Sequence, residues 1–183
     1  MRAKEFNSNR FLEKAIYLFW EQGFNATGIK SLVETTGVNR FSIYEAFDNK
    51  LGVLKNAFEL YNDRYQKPRI KLLNADLDPK SKLMSFFNSF INHETHAIKG
   101  CFMVAMTLEV GKTEKEIAEK LKTYIDGLKV LFLEIISDNK TADQLTALYC
   151  SGMCMSSFFS LHEMEQYFSK NLDVILNPHL NYA

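Results

Sequence analysis

Residues 23–50 read GFNATGIKSLVETTGVNRFSIYEAFDNK, and the rest of the chain is arranged to hold and control this stretch. Thr27 carries a hydroxyl suited to a helix N-cap, where it can accept from an orphan amide of the first turn. Ile29, Leu32 and Val33 then recur at helical spacing. Gly37 interrupts the run where the chain needs a residue tolerant of positive φ. Asn39 caps a second short helix whose apolar side is Ile43 and Phe47, and Val38 can plug the angle between the two. The layout is a helix-turn-helix, whose second helix enters the major groove of DNA.

Upstream, a helix from about Ser8 to Gln22 turns Phe11, Ala15, Leu18 and Phe19 inward, with Leu12, Ile16 and Trp20 widening the stripe. Gly23 ends it as a C-cap glycine would. Together Leu18, Phe19, Gly23, Phe24, Thr27, Gly37, Val38, Tyr44, Phe47 and Lys50 form a pattern that resembles the DNA-binding domain of TetR-family transcriptional repressors. The likeness covers about the first third of the chain. Gly100-Cys101, an apolar run and Glu109 are similar to the start of a middle helix in several branches of that family. Phe41 stands where family members often have a small residue, Ala46 where many have His or Tyr, and Val33 and Thr36 where alanines are usual.

The resemblance implies an all-α fold. An N-terminal helix-turn-helix DNA-binding bundle, residues 1–50, would precede a larger helical ligand-binding and dimerisation bundle, residues 51–183. It also implies a double-stranded DNA operator, a small-molecule effector and a homodimer built through the last two helices. Within the motif, reach divides the roles. Asn39 opens the recognition helix, and Arg40, Phe41 and Ser42 lie in its first turn, where side chains meet base edges. Arg40 can grip a guanine bidentately and Phe41 can pack on a thymine methyl. Thr27, Tyr44 and Lys50 suit phosphates, which position the protein without reading sequence.

Composition bounds the alternatives. Lys plus Arg equals Asp plus Glu at 22 each, so a whole-chain basic signature for nucleic acid is absent. The first 55 residues hold eight basic side chains against six acidic ones, a mild bias that a dimer doubles. Three cysteines do not suggest a disulfide framework. No signal peptide or membrane-length apolar run is evident, so a cytoplasmic protein is expected. The chain carries no Glu-x-x-His pair, HExxH, Walker loop or GxGxxG, so neither catalysis nor a cofactor or metal is expected.

Downstream, Asn49 should cap a helix from Lys50 to about Gln66 with Leu51, Leu54, Phe58, Tyr61 and Tyr65 inward, and Pro68 should end or kink it. Asp78-Pro79 opens a helix with an aromatic face of Leu83, Phe86, Phe87, Phe90 and Ile91. His93 and His96 read as ordinary polar residues near its end. Gly100 to Gly111 is apolar nearly all round and should be buried or wall a cavity. Thr113 to Glu116 and Thr141 to Gln144 read as capping boxes for two long helices, and a last helix runs from about Glu163 to Leu176. The expected cavity wall is Phe86, Phe90, Phe102, Met103, Met106, Tyr124, Leu128, Phe132, Tyr149 and Met153, suited to an apolar or aromatic ligand whose binding releases the operator. The alternative is a redox or electrophile sensor at Cys101, at a helix N-terminus that favours the thiolate, or a metal sensor at Cys150 and Cys154.

Overall fold

The computed structural model describes residues 7–91, 100–156 and 158–177, and these form helices with no strand among them. In order they are α1 (Ser8–Gln22), α2 (Ile29–Thr36), α3 (Arg40–Phe47), α4 (Lys50–Tyr61), a π-helical turn (Asn62–Gln66), α5 (Lys67–Leu73), α6 (Pro79–Asn88), α7 (Phe102–Val110), α8 (Lys115–Ile136), α9 (Asn139–Met155) and α10 (Leu161–Leu176). The expected arm carrying Arg2 and Lys4, and His93 and His96, lie outside the described residues.

The reading head closes around α1. Phe11 stacks on Phe47 of α3 at 5.1 Å, Phe19 meets Phe24 at 5.4 Å, and Leu32 and Ile43 are fully buried beneath them. α4 lies along α1 with Val53, Leu54, Ala57 and Phe58 buried. In the body, α8, α9 and α10 pack in sequence and α6 leans on α10. At the α9–α10 crossing a Cβ on Gly152 would lie 2.3 Å from the Phe168 ring. Glycine there brings the two helices together within one chain.

Several local expectations give way to better-placed partners. Gly28, not Thr27, is the N-cap of α2. Thr27 is fully buried, and its hydroxyl donates to the Gly23 carbonyl at 2.6 Å. The Thr113 box does not form. That hydroxyl donates to the Val110 carbonyl, and α8 starts after Glu114 with no side-chain cap. α9 is capped one turn earlier than Thr141, by Asp138, which accepts from the Thr141 amide and hydroxyl. A full capping box appears instead at Ser160 and Glu163, ahead of α10.

Pro68 neither ends nor breaks its helix. The π turn precedes it, and the proline sits in the first turn of α5, where its missing N–H costs little. The π turn inserts extra chain and rotates everything after it. Gln66, Arg69 and Leu73 therefore join Tyr61 in facing the interior, while Tyr65, expected inward from the regular stripe, is only half-buried.

Candidate nucleic-acid interface

Asn39 accepts from the Ser42 amide at 2.9 Å and so fixes where α3 begins. Gly37, at φ +75°, makes the tight turn before it. These two residues set the angle at which α3 leaves the head. Arg40 is exposed, Phe41 stands 75% clear of the protein, and Tyr44 is at the edge of exposure. A large apolar ring held out at the start of a helix buries nothing within the chain. The Arg40 guanidinium lies 5.5 Å from the Tyr44 ring centroid and donates to its hydroxyl at 3.3 Å. Arg40, Phe41 and Tyr44 therefore project together, with Ser42 half-buried behind them.

Two residues expected at phosphates do different work. Thr27 is shut inside the head, where no phosphate can reach it. Lys50 turns inward: its ammonium donates to the carbonyls of Phe24 and Thr27 at 2.7 and 2.9 Å and lies 4.1 Å from the Phe24 ring centroid. Burial holds its pKa below the usual lysine range, partly offset by the nearby Glu109 carboxylate. A cation at the first position of α4 opposes the helix dipole, and the two carbonyls explain why it is there.

Glu109 completes this arrangement. It sits on α7, in the body, and its carboxylate accepts from the backbone amides of Phe24 and Asn25 at 2.7 and 2.6 Å. Gly23, at φ +86°, would place a Cβ 3.2 Å from the same carboxylate, so a larger residue would crowd the contact. Glu109 is thus a strut from body to head. Its position after Gly100-Cys101 was visible in the sequence, but its partners are backbone amides some 85 residues away and leave no side-chain signal.

Most of the expected ligand wall lies buried in the core. Phe86, Phe90, Phe102, Met106, Leu128, Phe132, Tyr149 and Met153 are buried against one another, with Phe86 meeting Phe90 at 5.2 Å and Phe132 at 5.7 Å, both edge to face. Met103 and Tyr124 instead line a cavity of about 340 Å³ between α4, α7 and α8, floored also by Phe58 and Asn62 and rimmed by Glu59, Glu116, Glu119 and Lys120.

Behind that cavity runs a buried polar seam that the periodicity did not reveal, because the π turn creates it. Tyr124 donates to Gln66 Oε1 at 2.9 Å, Gln66 Nε2 donates to Cys101 Sγ at 3.0 Å, and Arg69 donates to the Tyr61 hydroxyl at 3.2 Å. The Tyr149 hydroxyl is fully buried beside Cys101 and Tyr124 and, among the described residues, makes no well-formed hydrogen bond. Burial, then the neighbouring thiol, pushes the Tyr149 and Tyr124 hydroxyls well above the usual tyrosine range. Cys150 is half-buried, which raises its thiol pKa, and Cys154 is exposed. Among the described residues no group of three or more His, Cys, Asp or Glu side chains is arranged to hold a metal ion, and no helix is long and apolar enough to cross a membrane.

Comparison with known proteins bears on the head and the body separately. Residues 11–57 match the family model for bacterial regulatory proteins of the tetR family. The HTH-type transcriptional repressor ComR of Escherichia coli (strain K12) is 33% identical over 127 residues, 67% of this chain and 60% of its own length. The uncharacterised HTH-type transcriptional regulator YezE of Bacillus subtilis (strain 168) is 24% identical over 119 residues, 64% of this chain and 61% of its own length. The chain thus matches about 60% of the length of these curated relatives. Among solved structures, the TetR-family regulator SCO4454 from Streptomyces coelicolor superposes with a TM-score of 0.83 at 13% identity, over 94% of this chain and 90% of its own. A cysteine mutant of the TetR-family regulator CifR, complexed with 26-bp operator DNA, superposes at 0.80 with 15% identity, over 94% and 98%. Likeness at these identities extends the shared fold through the body as well as the head.

Proposed function

The chain belongs to the tetR family of bacterial regulatory proteins, and we propose that it is a DNA-binding transcriptional repressor that acts as a homodimer and releases its operator when a small apolar or aromatic molecule occupies the body. One observation carries the reading: Arg40 and Phe41 stand exposed on the first turn of a helix whose start is fixed by its own cap and turn glycine. Arg40 and Phe41 read bases, Ser42 supports them, and Tyr44 meets phosphate. Lys50 and Thr27 shape the head from inside and touch no phosphate. Residues 1–50 make the reading head and 51–183 the body, and the protein works in the cytoplasm, where its operator lies.

Dimerisation follows from the need to span two half-sites about 34–36 Å apart. The surface that suits it is on and beside α9 and α10, where Cys154, Phe158, Leu161 and Val174 are exposed. The effector site that best fits is the cavity floored by Phe58, Met103 and Tyr124. It touches the polar seam through Tyr124, and α7, one of its walls, carries the Glu109 strut. A ligand that prefers a shifted α7 would be felt at the head.

Selection of bound sequences from random duplex DNA tests the reading. Arg40→Ala should relax discrimination at one base position by about 1–3 kcal/mol, roughly 5- to 150-fold. If it leaves both affinity and sequence preference unchanged, α3 is not the reader. A second reading, regulation through Cys101, is favoured by the thiol's place in the seam beside the buried Tyr149 hydroxyl. Under it, a thiol-alkylating reagent releases operator from the wild type but not from Cys101→Ser; equal release from both removes that reading.

A further inference from the structure

A second cavity, of about 470 Å³, lies apart from the one assigned to the effector, at the junction of head and body. Its walls come from α1, the end of α2 and the π turn. Tyr17 and Trp20 of α1 and Tyr65 of the π turn give it three aromatic faces. Trp20 is backed by an edge contact with Tyr61 at 5.6 Å. Among the described residues, the charges lining the opening are Lys14, Arg64 and Glu13. Glu13 is already paired with Arg64, and Lys14 spends one donor on the Thr35 carbonyl at 2.9 Å. An ammonium has three donors and a guanidinium five, so both cations keep N–H groups for a further acceptor. The opening is therefore a net cation over an aromatic slot.

We infer that this cavity is a second small-molecule site and takes a planar aromatic carboxylate. The ring lies between Trp20 and the two tyrosines, where stacking and apolar burial hold it. The carboxylate accepts from Lys14 and Arg64, in charge-assisted bonds that an amide of the same shape cannot match. An organic cation is disfavoured, because it would meet two like charges and only a carboxylate already in use. Because α1 and α2 belong to the reading head and the π turn to the body, the occupant braces one against the other. The site lies outside both the base-reading surface and the α4–α7–α8 cavity, so it does not depend on the assignment of either.

Trp20 is the single tryptophan of the chain, so all tryptophan fluorescence comes from this wall. The probe is 4-nitrobenzoate, with 4-nitrobenzamide as its uncharged counterpart, titrated into the full chain. The expected result is saturable quenching by the acid, with the amide about tenfold weaker. Lys14→Gln keeps a donor for the Thr35 carbonyl while removing the charge, and should weaken the acid about tenfold without changing the melting temperature. Tyr65→Ser should weaken acid and amide alike. Quenching that never saturates, equal affinity for acid and amide, or a Lys14→Gln protein that binds the acid as the wild type does would each overturn the assignment.

Discussion

Glu109→Ala removes the side chain by which α7 hydrogen-bonds the backbone of the reading head. The carboxylate receives two backbone amides, from Phe24 and Asn25, at 2.7 and 2.6 Å. A hydrogen bond to a charged group is worth about 1.5–3 kcal/mol. The Asn25 amide is exposed, and water replaces the carboxylate there. The Phe24 amide is partly buried, and its loss is not so easily made good. The expected cost is therefore about one such bond, ~2 kcal/mol. With an unfolding entropy of about 2.1 cal/mol/K per residue over this chain, that is a fall in Tm of roughly 5 °C at fixed protein concentration. Glu109→Gln keeps one acceptor but turns its amide group toward the other N–H, so it should lie between wild type and Glu109→Ala. Hydrogen exchange adds a local readout: the Phe24 and Asn25 amides should exchange faster in the variant while those in the middle of α9 do not. A Glu109→Ala protein that melts within about 1 °C of wild type, with those two amides equally protected, would refute the strut.

Lys50→Ala separates two roles for the same ammonium: because Lys50 is held by the Phe24 and Thr27 carbonyls, the salt dependence of operator binding should keep its slope, while loss of both contacts lowers stability by about 1–3 kcal/mol. A slope flatter by about one unit would return Lys50 to the phosphate backbone. The caps Asp78 and Asp138 have carboxyls held below the usual 3.8 by hydrogen bonds from Ser81 and Thr141. Their folded pKa values are depressed, so their contribution is present above 3.8 and is lost as pH falls through the lowered values. The pair of substitutions Asp78→Asn and Asp138→Asn keeps the caps and should flatten the acid limb of a Tm–pH profile; parallel limbs would show that other groups set it.

The head was legible from sequence because its determinants are local. Asn39, Gly37 and Asn49 act within three or four residues of themselves, and α1, α2 and α3 fall where the caps and glycines put them. What escaped is what depends on distant partners. Thr27 resembled a cap, but the Gly23 carbonyl takes its hydroxyl and burial removes it from DNA. Lys50 resembled a phosphate ligand, but two carbonyls from the loop after α1 take its charge. The aromatic residues of the expected ligand wall were recognised as interior, yet no periodicity distinguishes rings that line a space from rings that fill it. Met103 and Tyr124 are the two that line the described cavity, beside Phe58 of α4.

The π turn shows why a regular stripe misled, and why that matters for the body. A stripe at intervals of three and four sends Tyr65 inward after Tyr61; the observed interval from Tyr61 to Gln66 is five. Each residue advances a helix by about 100°, so one extra residue moves every later side chain onto a different face. That single offset brings Gln66 to Cys101 and Tyr124, carries Arg69 under Phe90 at 4.3 Å, and leaves Tyr65 free to wall the junction cavity. Asn62, at the start of the same turn, reaches the floor of the other cavity. Four of the five residues of the turn are thus used: Asn62 in one cavity, Arg64 and Tyr65 in the other, and Gln66 in the seam. Ideal α-helical geometry through 62–66 would put a buried glutamine and arginine at odds with their partners. The π register is the one in which Gln66 and Arg69 meet their buried partners Cys101, Tyr124 and Tyr61.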